Sequence, residues 1–321
     1  MIGIKRDDTL AGQHYDQICV TLLRNITIIV NAGGLPKHGR RRRRKIEPDL
    51  LIFLKKLQQP GELKKFIITP ADELERLILD FQKNVSSFRN KRKSSHRIIK
   101  YLFLEKGYTP FKKLPFIQRL GLETCVYCNR NYIYAVDKSG VVKPQIDHFY
   151  PQHMYPFLGL NYYNLIPACQ TCNGFDCKSK IDPLDTKTAL INPYLINDDH
   201  FQFAYQINPA HKGPKLAKGA YILSFAKQEK EHLSVFKLDD FYSLHDDHVA
   251  ELVYKNKFKY PGSNKRSLVA KYRKVGLTDD EIDRMILGTY AEADDLHRRP
   301  LSKLYRDIGI ELGLITKKPL P

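Results

Sequence analysis

The 321-residue chain lacks any long hydrophobic run. No stretch approaches the ~18 uninterrupted apolar residues of a membrane-spanning helix, and the most apolar early segment, residues 18–30, is broken by Arg24 and Asn25. That segment also lacks the basic leader and the small-residue cleavage site of a secretory signal. We therefore predict a buried helix or strand at residues 18–30, no contact with a membrane, and a cytoplasmic location.

Acidic residues are scarce relative to basic ones. The chain has 35 Asp and Glu against 53 Lys and Arg, which gives a formal net charge of +18 at pH 7. The excess is greatest in residues 1–100, where 22 Lys and Arg accompany 10 Asp and Glu. A basic surface attracts polyanions and speeds their encounter. Since no basic amphipathic helix of the membrane-binding kind stands out, we expect a nucleic acid as partner; the alternative is a basic protein that binds no specific polyanion.

A run of five arginines is the densest charge in the chain. It consists of Arg40, Arg41, Arg42, Arg43 and Arg44. Like charges repel one another and resist packing, and Gly and Pro residues precede the run. The pattern predicts an exposed loop or arm that grips phosphates, or else a solvated loop with no dedicated role.

Cysteine is uncommon, but four of the six residues form two pairs. Cys125 and Cys128 make a first Cys-x-x-Cys knuckle, and Cys169 and Cys172 make a second, with 40 residues between them. A chain this long without a secretory signal does not need a disulfide framework. A redox Cys-x-x-Cys usually occurs once, beside a βαβ pattern. Two such knuckles typically supply four thiolates to one tetrahedral zinc ion, so we predict a structural zinc.

Three residues near the knuckles have the chemistry of phosphodiester hydrolysis: Asp147, His148 and Asn173. Histidine has the pKa that suits the removal of a proton from water near neutral pH. A hard divalent cation stabilises charge on the phosphate, and it prefers carboxylate or amide oxygens as ligands. We predict that residues 145–148 form a short strand and that Asn173 lies where a helix begins. The alternatives are a buried structural histidine and a plain helix cap.

The order of these features resembles the cysteine-rich version of the HNH endonuclease family. Two flanking segments, Ile191-Asn-Pro-Tyr194 and Arg298-Arg-Pro-Leu-Ser-Lys-Leu304, resemble segments of HNH proteins of bacterial defence islands. The matching residues are the first knuckle, Asp147-His148 followed by Pro151, and Asn164-Leu-Ile-Pro-Ala-Cys169-Gln-Thr-Cys172-Asn173, and then lysine. They lie within residues 125–180. The resemblance implies an α+β fold: a ββα-metal (HNH) nuclease core with a four-cysteine zinc knot, flanked by mainly helical N- and C-terminal regions.

The family also implies a role for each residue. His148 would be the general base, and Asp147 and Asn173 would bind the catalytic metal, Mg²⁺ or Mn²⁺. Asn164 would orient the His148 ring through a hydrogen bond, and the four cysteines would hold zinc without taking part in the chemistry. The activity implied is metal-dependent endonuclease hydrolysis of DNA, in preference to RNA, in restriction of foreign phage or plasmid DNA.

The lysine of the pattern is displaced in this chain. Residues 174–177 intervene before Lys178 and Lys180, so both lysines are candidates for the phosphate contact. Two other functions remain open. One is a non-catalytic zinc module that binds nucleic acid or a partner protein. The other is a nuclease subunit that is active only with a partner ATPase; the oligomeric state stays open.

Three regions follow from these patterns. We predict a basic, mainly helical region at 1–113, the nuclease domain at 114–195, and a region at 196–321 that passes from strands to helices. Within them, Thr69 before Pro70 is predicted to cap a helix. Alternating apolar residues predict strands at 201–207 and 221–225, and Thr278 with Glu281 predicts a capping box.

Overall fold

The computed structural model describes residues 1–35, 45–138 and 143–316. Arg40–Arg44, the predicted phosphate-gripping arm, lie outside the described residues. The strands are β1 (Gln145–His148), β2 (Leu165–Ala168), β3 (Gln202–Ile207) and β4 (Tyr221–Lys227). The α-helices are α1 (Asp8–Ala32), α2 (Pro48–Leu57), α3 (Glu62–Ile67), α4 (Leu74–Asn84), α5 (Ser94–Ile99), α6 (Lys113–Leu120), α7 (Gln170–Asn173), α8 (Lys230–Phe236), α9 (Leu238–Ser243), α10 (Asp246–Tyr254), α11 (Gly262–Lys274), α12 (Asp279–Leu287) and α13 (Ser302–Glu311). The protein is therefore mixed α/β, as predicted in broad terms, with two small antiparallel sheets.

The longest helix, α1, occupies the apolar segment near the N-terminus. The Asp7 carboxylate accepts hydrogen bonds from the Thr9 and Leu10 amides at 2.8 and 3.0 Å and so caps the first turn. Gly33, with φ of 64°, ends the helix in the left-handed conformation that glycine adopts most readily. Residues at helical spacing, from Ile18 to Ile29, form the buried face. The prediction of a buried element at residues 18–30 is confirmed as a helix.

The chain between α3 and α4 differs from the prediction. The Thr69 hydroxyl donates to the carbonyl of Lys65 at 2.7 Å, so it closes the end of α3 and does not cap the next helix. The prediction that Thr69 caps a helix was therefore wrong. A threonine after a helix can bond back to a carbonyl four residues earlier, and sequence spacing alone does not distinguish this from capping. Leu74, Ile78 and Phe81 of α4 recur at helical spacing and are buried.

The central sheet pairs β1 with β2. The strands are antiparallel, with Asp147 opposite Ile166 and His148 opposite Leu165. The one-turn helix α7 follows β2 directly, and Cys169 is its N-cap. Asn173 is the last residue of α7, so the expectation that a helix begins there is wrong.

The second sheet and the last helices build the C-terminal part. The strands predicted at 201–207 and 221–225 are confirmed as β3 and β4, which pair antiparallel. The capping box at Thr278 and Glu281 is present at the start of α12. Buried residues from all three predicted regions belong to one continuous hydrophobic core. The division into three regions remains a prediction.

Several contacts fasten the terminal regions to the first knuckle. The Asn129 side chain donates to the Leu296 carbonyl and accepts from the Lys303 amide, each at 3.0 Å. The Ile2 amide donates to the Val126 carbonyl at 3.1 Å. Both ends of the chain therefore hold the loop that carries Cys125 and Cys128. Within the described ranges, no helix combines the length and the apolar character needed to cross a membrane.

Two buried histidines predict that the fold loses stability in acid. Burial lowers the pKa of His14 and of His232 to about 4, from the ordinary 6.5. Below about pH 6.5 the unfolded chain binds protons that the folded chain cannot bind until about pH 4. Each histidine should therefore lower the free energy of unfolding by about 1.4 kcal/mol per pH unit across that window. Denaturant titrations at several pH values measure this slope.

The His14→Gln variant isolates one contribution. His14 Nε2 donates to the Leu160 carbonyl at 2.8 Å, and a glutamine amide offers a donor without titrating. The variant should show a shallower loss of stability between pH 6.5 and 4. An unchanged slope would contradict the assignment of this acid sensitivity to His14.

Candidate functional site

The four paired cysteines meet at one point. The Sγ atoms of Cys125, Cys128, Cys169 and Cys172 lie within 4.8 Å of one another, and all four residues are buried. None of them forms a disulfide. Tetrahedral zinc with Zn–S bonds of about 2.3 Å holds its sulfurs about 3.8 Å apart. The buried four-cysteine group therefore suits a structural zinc ion.

Nitrogen donors surround the sulfurs. The Arg130 amide donates to Cys128 Sγ at 3.4 Å, and the Cys172 amide donates to Cys169 Sγ at 3.5 Å. Asn131 Nδ2 also donates to Cys169 Sγ at 3.3 Å, which ties the first knuckle to the second. Hydrogen bonds, those from the Cys125 thiol foremost, lower the pKa of Cys169. Such donors stabilise thiolates, the form in which cysteine binds metal.

The first knuckle delivers a tyrosine to the central sheet. Tyr127 stands between Cys125 and Cys128, and its hydroxyl donates to Asp147 Oδ2 at 2.6 Å. Burial raises the pKa of Tyr127, so the hydroxyl stays protonated and remains a donor. The ring stacks on Phe236 of α8 with centroids 4.6 Å apart. The position of the Asp147 carboxylate therefore depends on the zinc knot.

Lys178 is buried beside the same carboxylate. Its Nζ lies 3.1 Å from Asp147 Oδ1 and 2.9 Å from Oδ2, and it donates to the His148 carbonyl at 3.1 Å. The side chain of Lys178 is 0% exposed. We expected Lys178 to contact nucleic acid. Instead, its ammonium pairs with the Asp147 carboxylate in the protein interior. Lys180 is exposed, which leaves it available for that contact.

The buried pair predicts a large cost for removing one partner. Lys178→Met should lower the free energy of unfolding by about 3–5 kcal/mol, since it leaves the Asp147 charge without its counterion in the interior. Lys180→Met removes an exposed lysine two residues away and should change stability by no more than about 0.5 kcal/mol. Urea unfolding of the two variants compares them directly. Equal stability of the two variants would mean that the ion pair contributes nothing.

The His148 ring is held in one tautomer. His148 Nε2 lies 3.2 Å from the Gly159 carbonyl oxygen. Since a carbonyl only accepts, Nε2 carries the proton and Nδ1 keeps its lone pair. Burial lowers the pKa of His148 to about 4, so the ring is neutral at pH 7, the form that accepts a proton. The Tyr108 ring packs edge-on against it, with centroids 4.5 Å apart.

Asn164 acts on the loop that carries Gly159. Its Oδ1 accepts from the Tyr150 amide at 2.7 Å, and its Nδ2 donates to the Leu158 carbonyl at 3.1 Å. The side chain therefore fixes the backbone next to Gly159 and does not bond to the His148 ring as the family resemblance implied. A Cβ at Gly159 would lie 2.4 Å from Leu104 Cδ2 and 3.0 Å from the Pro156 carbonyl oxygen, so a larger residue there would displace the Leu104 side chain.

Asn173 lies on the face of β1 that carries Asp147. Its Nδ2 donates to Gln145 Oε1 at 2.8 Å, and residues two apart on a strand point to the same side. The donation leaves Asn173 Oδ1 as a hard oxygen donor. The Asp147 carboxylate and the Asn173 amide oxygen are thus ligands of the type that a divalent cation prefers. Both Asp147 oxygens are bonded to Tyr127 or Lys178, so a cation there must displace the lysine.

Sequence reasoning missed three neighbours of the site. No motif assigned a role to Tyr127, although its place between two cysteines could have indicated a fixed donor. Tyr108 and Lys113 come from the predicted N-terminal region, and no motif pointed to either. Lys113 Nζ lies 4.3 Å from the centre of the Tyr108 ring and donates to the Tyr108 carbonyl at 2.9 Å. They place a cation near the His148 ring.

Comparison with known proteins finds a short region of sequence similarity. Over 95 residues the chain is 36% identical to the Septu protein PtuB of Bacillus thuringiensis. The stretch makes up 28% of this chain and 33% of the relative, so the chain matches about a third of that relative's length. No protein-family model and no solved structure matches the chain. Two findings bear on the function: the buried four-cysteine cluster, which suits zinc, and the partial similarity to a Septu protein.

Proposed function

We propose that the chain is a metal-dependent endonuclease of the HNH type. The observation that carries the proposal is His148, a neutral histidine whose Nε2–H is fixed by the Gly159 carbonyl and whose Nδ1 keeps a lone pair. It stands next to Asp147 on a strand that the zinc knot holds in place through Tyr127. A histidine with this fixed tautomer is suited to general-base catalysis.

In the proposed reaction His148 Nδ1 takes a proton from a water molecule, and the resulting hydroxide attacks phosphorus in line. The Nε2–H bond to Gly159 supports the positive charge that develops on the ring. Asp147 and Asn173 Oδ1 would hold Mg²⁺ or Mn²⁺, which would stabilise charge on the phosphate and on the departing 3′ oxygen. The product would carry a 5′-phosphate.

The proposed substrate is DNA, and the proposed role is defence against phage or plasmid DNA. The net charge of +18 supports a polyanionic substrate. The likeness to a Septu protein supports an anti-phage role.

The Asp147–Lys178 pair favours a second form of the proposal, in which the nuclease is inactive until a partner ATPase acts on it. With Lys178 on the carboxylate, the metal site is closed by an internal cation. A partner that moves residues 174–180 would open it. Cleavage that occurs only when the product of a neighbouring ATPase gene is added would support this form over an independent nuclease.

The test is incubation of purified protein with supercoiled plasmid and Mg²⁺ or Mn²⁺. We expect conversion to nicked or linear DNA that stops when the divalent metal is withheld. If the protein with its full zinc content leaves the plasmid supercoiled both alone and with the partner ATPase, the proposal is contradicted. That result would favour a non-catalytic zinc module.

A further inference from the structure

A strongly basic described surface lies far along the chain from the candidate site. Residues 255–278 contain eight Lys and Arg and no Asp or Glu. They include the π-helical segment Lys255–Lys259 and the whole of α11. Neither element contains a buried residue. Burial of side chains therefore contributes little to the stability of α11, which lies on the surface in a strongly positively charged segment.

The two sides of α11 differ. Leu268, Val269 and Tyr272 are partly buried and pack against the core. At about 100° per residue, the opposite side presents Arg266, Lys271 and Lys274, with small residues between them. Those three cations are exposed.

The small residues on the outward side are Ser263, Ser267 and Ala270, and all three are exposed. They let a bulky partner approach the helix backbone between the cations. The helix has 13 residues, which gives a basic strip of about 20 Å. Three other cations of the segment bond within the protein, since Lys255 and Lys265 donate to backbone carbonyls and Arg273 pairs with Asp279 at 2.8 Å.

We propose that α11 docks on the phosphate backbone of duplex DNA through Arg266, Lys271 and Lys274. Closely spaced phosphates along a duplex match a row of cations, and neutralising them releases condensed counterions. Protein interfaces, in contrast, are enriched in aromatic anchors and depleted in lysine, and the outward side of α11 offers lysine, arginine, serine and alanine. The inference deepens the proposed function, since it names where the substrate is held, but the binding itself requires no catalysis.

The test is equilibrium binding of the full chain to a short labelled DNA duplex across a series of salt concentrations, without added divalent metal. The triple variant Arg266→Gln, Lys271→Gln, Lys274→Gln should bind on the order of tenfold more weakly at low salt. Its log–log salt slope should fall by about 2–3, since each lost phosphate contact removes about 0.9. Glutamine keeps the helix propensity.

A matched control removes the same charge elsewhere. Lys55, Lys64 and Lys83 are exposed residues of α2, α3 and α4, and their replacement by glutamine should leave the affinity within about twofold. Ala270→Glu keeps all three cations but adds a carboxylate between them, and it should also weaken binding. Affinity and salt slope that are the same in the two triple variants would overturn the inference and point to an acidic protein as the partner of α11. The assay involves no cleavage, so its result is independent of whether the protein proves to be a nuclease.

Discussion

Replacing Cys172 by serine is expected to release the zinc and to disable the site in one step. A structural zinc contributes its binding free energy to folding, on the order of 10 kcal/mol in small domains. The Cys172 carbonyl also accepts from the Lys178 amide at 3.1 Å, so the knuckle holds the partner of Asp147. We expect zinc content to fall from one ion per chain to near zero. The melting temperature should fall by roughly 10 °C or more.

The two cysteines outside the group of four provide the control. Cys177 is buried close to the cluster but outside the group of four, and Cys19 is half-buried on α1. Cys177→Ser and Cys19→Ser should keep a full complement of zinc, measured by atomic absorption. Zinc retained in Cys172→Ser, or lost equally from Cys177→Ser, would refute the assignment of the four ligands.

Replacing His148 by alanine is expected to reduce DNA cleavage by a factor of about 10²–10⁴, the usual contribution of a general base. Binding of DNA without added metal should be unchanged, because the proposed base acts on the attacking water and, being neutral at pH 7, supplies no charge that holds a phosphate. His148→Gln is a second variant that keeps a donor for the Gly159 carbonyl, but an amide cannot act as the base. Its activity should be as low as that of His148→Ala, whereas its internal packing should resemble that of the wild-type protein more closely.

His153→Ala is the matched control for these variants. It removes an exposed histidine from the loop that follows β1. Single-turnover cleavage rates should be close to wild type in this variant and strongly reduced in the two His148 variants. Equal rates in His148→Gln and His153→Ala would exclude His148 as the base.

The parts of the fold that sequence predicted are those set by local pattern. Each Cys-x-x-Cys pair aims two sulfurs at one point through its own tight loop, and a tetrahedral zinc needs two such pairs, so the motif itself predicted that they meet. Alternation over residues 201–207 and the Thr278–Glu281 box each depend on neighbours within a few residues. Tertiary packing does not override such features, because the residues that define each of them are close together in the chain.

The parts that sequence did not predict depend on distant residues. The burial of Lys178 follows from Asp147, 31 residues earlier, which supplies a counterion inside the protein. Asn164 has the spacing of an orienting residue, yet its bonds go to the loop beneath His148. Tyr108 reaches the ring from a π-helical segment that no pattern marked. Each depends on how the N-terminal helices and the loop after β1 pack, which local spacing does not specify.

The most direct test of the proposed chemistry is whether DNA ligase reseals the nicks that the protein makes in a supercoiled plasmid. Attack by a water that His148 activates leaves a 5′-phosphate and a 3′-hydroxyl, which ligase joins. We predict metal-dependent nicks that ligase closes in the wild-type reaction, and none above background with His148→Gln. Nicks that ligase cannot close would contradict departure of the 3′ oxygen, and nicks made equally by His148→Gln would contradict His148 as the base.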